Sequence, residues 1–130
     1  ELAHKVYGKH TDASTAFGKN CRILEENGIL EYEMKTGEAE TALAVTYSGH
    51  DAGMKFEIHI DGQLYVKEEV PPAKEEFYTK YYQLPEALIE NKKKIKIAFK
   101  TPMRGMRCRI YGVLYTCKAK KVNNLCKENI

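Results

Sequence analysis

At 130 residues the chain is long enough for one domain with one sizeable core. It is 43% hydrophobic and 30% charged, an ordinary globular composition, and no apolar run approaches the ~20 residues that span a bilayer. The net charge of +3 excludes a strongly polyionic protein, but the charge is uneven: residues 92–121 hold eleven Lys and Arg and no acid, while 25–40 are acidically biased.

Residues 1–20 read as a polar loop with a short strand at Val6-Tyr7. Residues 21–24 form a strand, and Asn27-Gly28 is a hairpin-turn signal leading into 29–35, where Leu30, Tyr32 and Met34 alternate with Glu31, Glu33 and Lys35. After a turn at 36–40 come three consecutive strands over 41–70. Leu43, Val45 and Tyr47 mark the first, and Met54, Phe56, Ile58 and Ile60 the second. Asp61-Gly62 then makes a two-residue turn into the third, which Pro71-Pro72 ends. Period-2 alternation sends one set of side chains to a core. That core is expected to hold Met54, Phe56, Ile58 and Ile60 with Leu43, Val45, Ile95, Ile97 and Phe99.

Residues 77–83 (FYTKYYQ) are a strand with large side chains on both faces, followed by a one- or two-turn helix in PEALIEN. A strand at 95–100, a loop at 101–107 and a last strand at 109–118, bulged at Gly112, complete the pattern. Residues 119–130 lose all pattern and read as a poorly ordered tail. The whole predicts an all-β fold over residues 1–118, an antiparallel two-sheet β-sandwich of jelly-roll type with one short helical connector.

Cys21, Cys108, Cys117 and Cys126 have no zinc-type spacing. Cys108 and Cys117 fall on one predicted strand about 30 Å apart, too far for a disulfide unless that strand is broken, and Cys21 could pair with one of them only from a neighbouring strand, so buried free thiols are expected, with Cys126 in the tail. No cofactor or metal is expected; loop oxygens of Asp12 or Asp51 are the nearest approach to a Ca²⁺ site, without an acidic cluster to hold the ion.

His50-Asp51 could perform acid–base chemistry, but neighbours in a loop rarely point together, and a polar turn is the favoured reading. His59 reads as solvated beside Lys55 and Glu57. Glu68-Glu69 and Glu75-Glu76 read as a charged rim, since adjacent carboxylates on an extended chain point apart, unlike a glycosidase pair. Within 77–83, Tyr78 and Tyr82 share one face and Phe77 and Tyr81 the other; the outward pair, with Tyr47 and His50, is the candidate ligand or domain contact. The lysines at 94, 96 and 100 alternate with Ile95, Ile97 and Phe99, which favours a solvated face over a nucleic-acid or polyanion site.

The order of GILEYEMK, TALAVTYSGHDAGMKFEIHIDGQLYVKEEV, FYTKYYQLPEALIENKKKIKIAFKT and RIYGVLYTCK resembles the β-sandwich accessory domain, C-terminal in bacterial glycoside hydrolases of the β-L-arabinofuranosidase type (family 127-like). Tyr47-Ser48-Gly49, residues 56–62, 82–88 and 95–99 stand where that family has Tyr-Trp-Gly, its Asp-Gly hairpin, its Tyr-Pro-Leu connector and a Val-x-Val-x-Phe strand. The resemblance implies a galactose-binding-like sandwich that braces the catalytic domain of the same polypeptide and contacts carbohydrate in second place. It implies that catalysis resides on another domain, and an extracellular or periplasmic location. A start at Glu1 rather than Met fits an excised or processed piece. The alternatives are a stand-alone carbohydrate-binding module, an independent enzyme using His50 and Asp51, and a polyanion binder using 92–121. Ser48 replaces the family's Trp and the chain has no Trp at all, which favours a protein neighbour over an oligosaccharide.

Overall fold

The computed structural model describes residues 4–36, 40–72 and 75–118, and nine strands in them form two antiparallel sheets. The larger sheet contains β1 (His4–Ala16), β2 (Lys19–Lys35), β4 (Lys55–Ile60), β5 (Gln63–Glu69) and β7 (Lys94–Thr101) in the order β1-β2-β7-β4-β5. The short β8 (Cys108–Ile110) also pairs with β2. The smaller sheet places β3 (Glu40–Ser48) between β6 (Phe77–Gln83) and β9 (Gly112–Lys118). A single helical turn, α1 (Glu86–Ile89), connects β6 to β7, and a 3-10 turn at Gly49–Asp51 follows β3.

The alternation read in the sequence is what brings the sheets face to face. Leu30, Tyr32 and Met34 on β2 lie opposite Phe99, Ile97 and Ile95 on β7, and β4 adds Phe56, Ile58 and Ile60. Leu43, Val45 and Tyr47 of β3, with Tyr82 of β6 and Val113 of β9, meet them from the other sheet. The Phe56 ring lies 5.7 Å from Tyr47 and 6.4 Å from Phe99, centre to centre, and so ties the two layers. Met54 precedes β4 and is only partly buried at the margin of this core. The Asp61-Gly62 turn forms as expected, both residues at positive φ.

Three elements differ from the sequence reading. The polar N-terminal stretch is a thirteen-residue edge strand, β1, rather than a loop. Its side chains from Tyr7 to Thr15 are almost all exposed, so it has backbone pairing without a hydrophobic period to betray it. Asn27-Gly28 makes a bulge, not a hairpin turn: residues 25–28 are looped out opposite His10, and β2 then continues along the same partner, β1. Asn27 supplies the positive φ. Gly28 is required by space, since a Cβ there would come within 2.8 Å of the Glu25 carbonyl oxygen. Its N–H donates to Thr101 Oγ1 at 2.9 Å.

The third difference is that the last strand is broken. β8 belongs to the larger sheet, the Tyr111 N–H donates to the Thr46 carbonyl at 2.8 Å, and β9 continues in the smaller sheet. Cys108 and Cys117 therefore lie on different sheets, opposite Leu24 and Thr41. Cys21 and Cys108 are free and buried, and burial pushes both thiols up, away from the reactive thiolate. The expected tail, with Cys126, falls outside the described residues.

Glu68 corrects the expected charged rim. It is largely buried where the β5 and β6 edges meet and accepts hydrogen bonds from Tyr82 Oη (2.6 Å) and Lys80 Nζ (2.7 Å). Tyr82 also bonds Tyr47 Oη at 2.7 Å, so a polar chain runs from the core to this seam. The basic run is compensated in the way a solvated face requires: Lys92 pairs with Asp61 at 2.7 Å and Lys94 with Glu33 at 3.6 Å.

Replacing Phe56 by Ala should cost about 3–5 kcal/mol in equilibrium denaturation, because the cavity would open between the sheets. Asp61 gives a pH prediction. Burial pushes its carboxyl up, but the Lys92 hydrogen bond, the Lys96 N–H and their charges outweigh that and leave it below the ordinary 3.8. A lowered native value means the contribution is complete above the unfolded value and is lost as pH falls through the folded one. Asp61→Asn should therefore lower stability at neutral pH and flatten the stability profile below about pH 4.

Candidate functional site

The turn between β1 and β2, the 49–54 segment, Glu76 just before β6, the 102–107 loop and the crossing at Tyr111 converge at one end of the sandwich. Ser48 is the last residue of β3 at this end. It is buried, and its Oγ accepts the His50 N–H at 3.1 Å, which caps the 3-10 turn and aims the next residues.

His50 and Asp51 diverge, as neighbours on such a turn must. Asp51 points inward and is 3% exposed. Arg109 Nη1 donates to its Oδ1 at 2.7 Å, and Tyr111 Oη donates to its Oδ2 at 2.8 Å. Burial opposes the Arg109 charge, but the Asp51 hydrogen bond and charge hold it above the ordinary guanidinium value. Burial and the same carboxylate push the Tyr111 phenol up. His50 turns outward, with Nε2 3.3 Å from Glu76 Oε2.

The structure adds a residue that sequence reasoning missed. Phe17 occupies the first central position of the two-residue β1–β2 turn at φ +53°, with Gly18 at +78°. Type I′ turns favour Asn or Asp there, and a bulky side chain at positive φ is strained. The ring is nevertheless 46% exposed, stacks on the His50 ring at 4.2 Å and 19°, and lies 5.9 Å from the Arg109 guanidinium. Beside it, the Lys19 ammonium sits 5.2 Å above Phe77, which meets Tyr111 edge-on at 5.1 Å. The signal available in the sequence was an aromatic residue before Gly18 in an otherwise polar stretch.

Two open cavities border this cluster. One, of about 490 Å³, is lined by Ser14, Thr15, Asn20, Cys21, Arg22 and Tyr111 among others. The second, of about 420 Å³, is bordered by His50, Asp51, Gly53, Gly105, Arg107 and Arg109. Both fall in the size range of small-ligand sites. No group of three or more metal-ligating side chains is gathered among the described residues, and Asp12 lies on β1 opposite Ile23 of β2.

The other expected contact residues divide. Tyr47 and Tyr82 are buried and hydrogen-bonded to each other, which removes them from any ligand. Tyr78 faces inward, 6.0 Å from Tyr47. The outward pair is Phe77 and Tyr81; Phe77 joins the tip cluster, while Tyr81 is 62% exposed further along β6, opposite the buried Ala44. His59 is not solvated: it and Glu57 are both largely covered and bonded at 2.8 Å, because β5 and β7 flank them on the outer face.

A family model matches residues 1–115, and the chain belongs to DUF6805, a family of unknown function. No curated protein matches it by sequence. By fold it resembles a family 35 carbohydrate-binding module from Clostridium thermocellum, with 12% identity, TM-score 0.57, and coverage of 88% of this chain and 95% of that one. A family 35 module from an environmental isolate gives 10% identity, TM-score 0.58 and 88% coverage of both chains. A family GH115 4-O-methyl-α-glucuronidase with specificity for decorated arabinogalactans shares the fold over 86% of this chain and 17% of its own, at 12% identity and TM-score 0.58.

Two variants test the site's construction. Asp51→Asn should destabilise the domain by about 3 kcal/mol in denaturant titration, since it leaves Arg109 without its anionic partner. Phe17→Asn should leave stability unchanged or raise it by up to about 1 kcal/mol, as relief of the turn offsets the lost ring stack.

Proposed function

We propose that the domain is a non-catalytic accessory module of a larger bacterial carbohydrate-degrading enzyme, and that its tip contacts a saccharide. The observation that carries this reading is Phe17: a half-exposed aromatic ring held in a turn that would be more relaxed with Asn, stacked on the His50 ring that borders an open cavity. Strain retained at an exposed position is accounted for by what the ring meets there. Flat amphipathic rings and convergent polar groups suit the apolar faces and hydroxyls of a sugar. The fold shared with carbohydrate-binding modules and with part of a glucuronidase supports this, as does the resemblance to the β-L-arabinofuranosidase accessory domain, which also suggests an extracellular or periplasmic setting.

The tip is poorly arranged for hydrolysis. Both Asp51 oxygens are occupied by Arg109 and Tyr111, and Glu76 is engaged with His50 at the surface. Bracing of a catalytic domain is the second role, and Tyr81 favours it. This ring, 62% exposed, stands out from the smaller sheet where a neighbouring domain could cover it.

Calorimetric titration of the domain with xylan-, arabinan- and arabinogalactan-derived oligosaccharides tests the reading. Sub-millimolar binding of at least one, lost in Phe17→Ala with the fold intact by circular dichroism, is expected. Binding that survives Phe17→Ala would remove the tip from the account. Turnover of an aryl-glycoside that disappears in Asp51→Asn or Glu76→Gln would overturn the non-catalytic assignment.

A further inference from the structure

The cavity between the 3-10 turn and β8 has a one-sided charge. Three of its lining side chains, His50, Arg107 and Arg109, are cationic or can become so, against the single carboxylate of Asp51. That carboxylate is already satisfied on both oxygens. Arg109 commits Nη1 to it, while its Nε–H is buried with no protein acceptor. Arg107 forms no ion pair among the described residues. It also borders a smaller cavity with Glu25 and Glu26, of which Glu26 accepts the Gly105 N–H. Glu76 approaches His50 rather than the arginines. What the cavity has in excess is charged donors, and what it lacks is an acceptor.

A guanidinium fork is matched in shape by a planar or tetrahedral oxyanion, and two guanidinium groups, of Arg107 and Arg109, line this cavity. His50, which lines this cavity, is stacked on Phe17, so an anion held here would lie one side chain away from that ring. Building on the saccharide reading of the tip, we propose that this cavity receives the anionic group of an acidic sugar, a carboxylate or a sulfate, clamped by Arg107 and Arg109 while its ring lies against Phe17. The neighbouring cavity, lined by Ser14, Thr15, Asn20 and Arg22, then takes neutral residues of the same chain.

Calorimetry of the full chain against matched probes tests this: a neutral xylo-oligosaccharide, the same backbone carrying a glucuronate branch, a sulfated oligosaccharide, and free acetate and sulfate. Tighter binding of the glucuronate or sulfated probe than of the neutral one, by about tenfold or more, is expected, and which of the two binds identifies the oxyanion. Arg107→Gln, at an exposed position, should abolish that preference without changing the melting temperature. Equal affinity for neutral and acidic probes would overturn the inference and leave the saccharide reading standing. Free acetate or sulfate binding as tightly as the acidic sugars would also overturn it, since the sugar ring would then contribute nothing. Absence of binding to every saccharide would remove both.

Discussion

The arrangement of the tip rests on one buried carboxylate. Asp51 arrives from the smaller sheet on a 3-10 turn, Arg109 from β8 of the larger sheet, and Tyr111 from the residue at which the chain changes sheets. A charge so far from water persists only when paired, so these partners are held in place by the cost of separating them. With Arg109 fixed, the Phe17 ring has a cation beside it, and with the turn fixed, His50 is presented beneath that ring. The core supplies the affinity between the sheets; the Asp51 bridge determines what the end of the sandwich displays.

The sandwich was legible where side chains alternate between oil and water. Phe56, Ile58 and Ile60, or Ile95, Ile97 and Phe99, could be assigned to a core without knowing what they faced. β1 was illegible for the same reason inverted: it is tied by backbone bonds and exposes its side chains, so nothing in its composition repeats. Asn27-Gly28 was read as a hairpin turn and Gly112 as a bulge within one strand, and at both places the regular ladder is broken in another way. Which way, a bulge in one case and a change of sheet in the other, depends on partners distant in sequence, Thr101 and Thr46.

The candidate site was less legible than the fold. His50 and Asp51 drew notice as an adjacent pair, but their roles come from opposite directions of projection, one to Glu76 and the other to Arg109. Arg109 lay hidden in a basic run whose lysines are ordinary surface charges, and only packing distinguishes it from them. Tyr82 looked like a contact residue because strand periodicity cannot say which of two aromatic faces is inward; its hydrogen bonds to the Tyr47 hydroxyl and the Glu68 carboxylate settle that. Phe17 shows the general limit. Its information lies in a conflict between residue type and backbone angle, which appears once the angle is known.

The bulge at residues 25–28 gives β2 a freedom that its neighbours lack. Before it the strand pairs with β8, after it with β7, and β1 pairs with both halves, with a register shift at His10. In an uninterrupted ladder one added residue would turn every later side chain from core to solvent. Here the loop-out can absorb a change of length while β1 holds each half in its own register. Homologues should therefore vary in length at this point inside a strand, a place where insertions are otherwise rare, and the Gly28–Thr101 contact marks where such variation must stop.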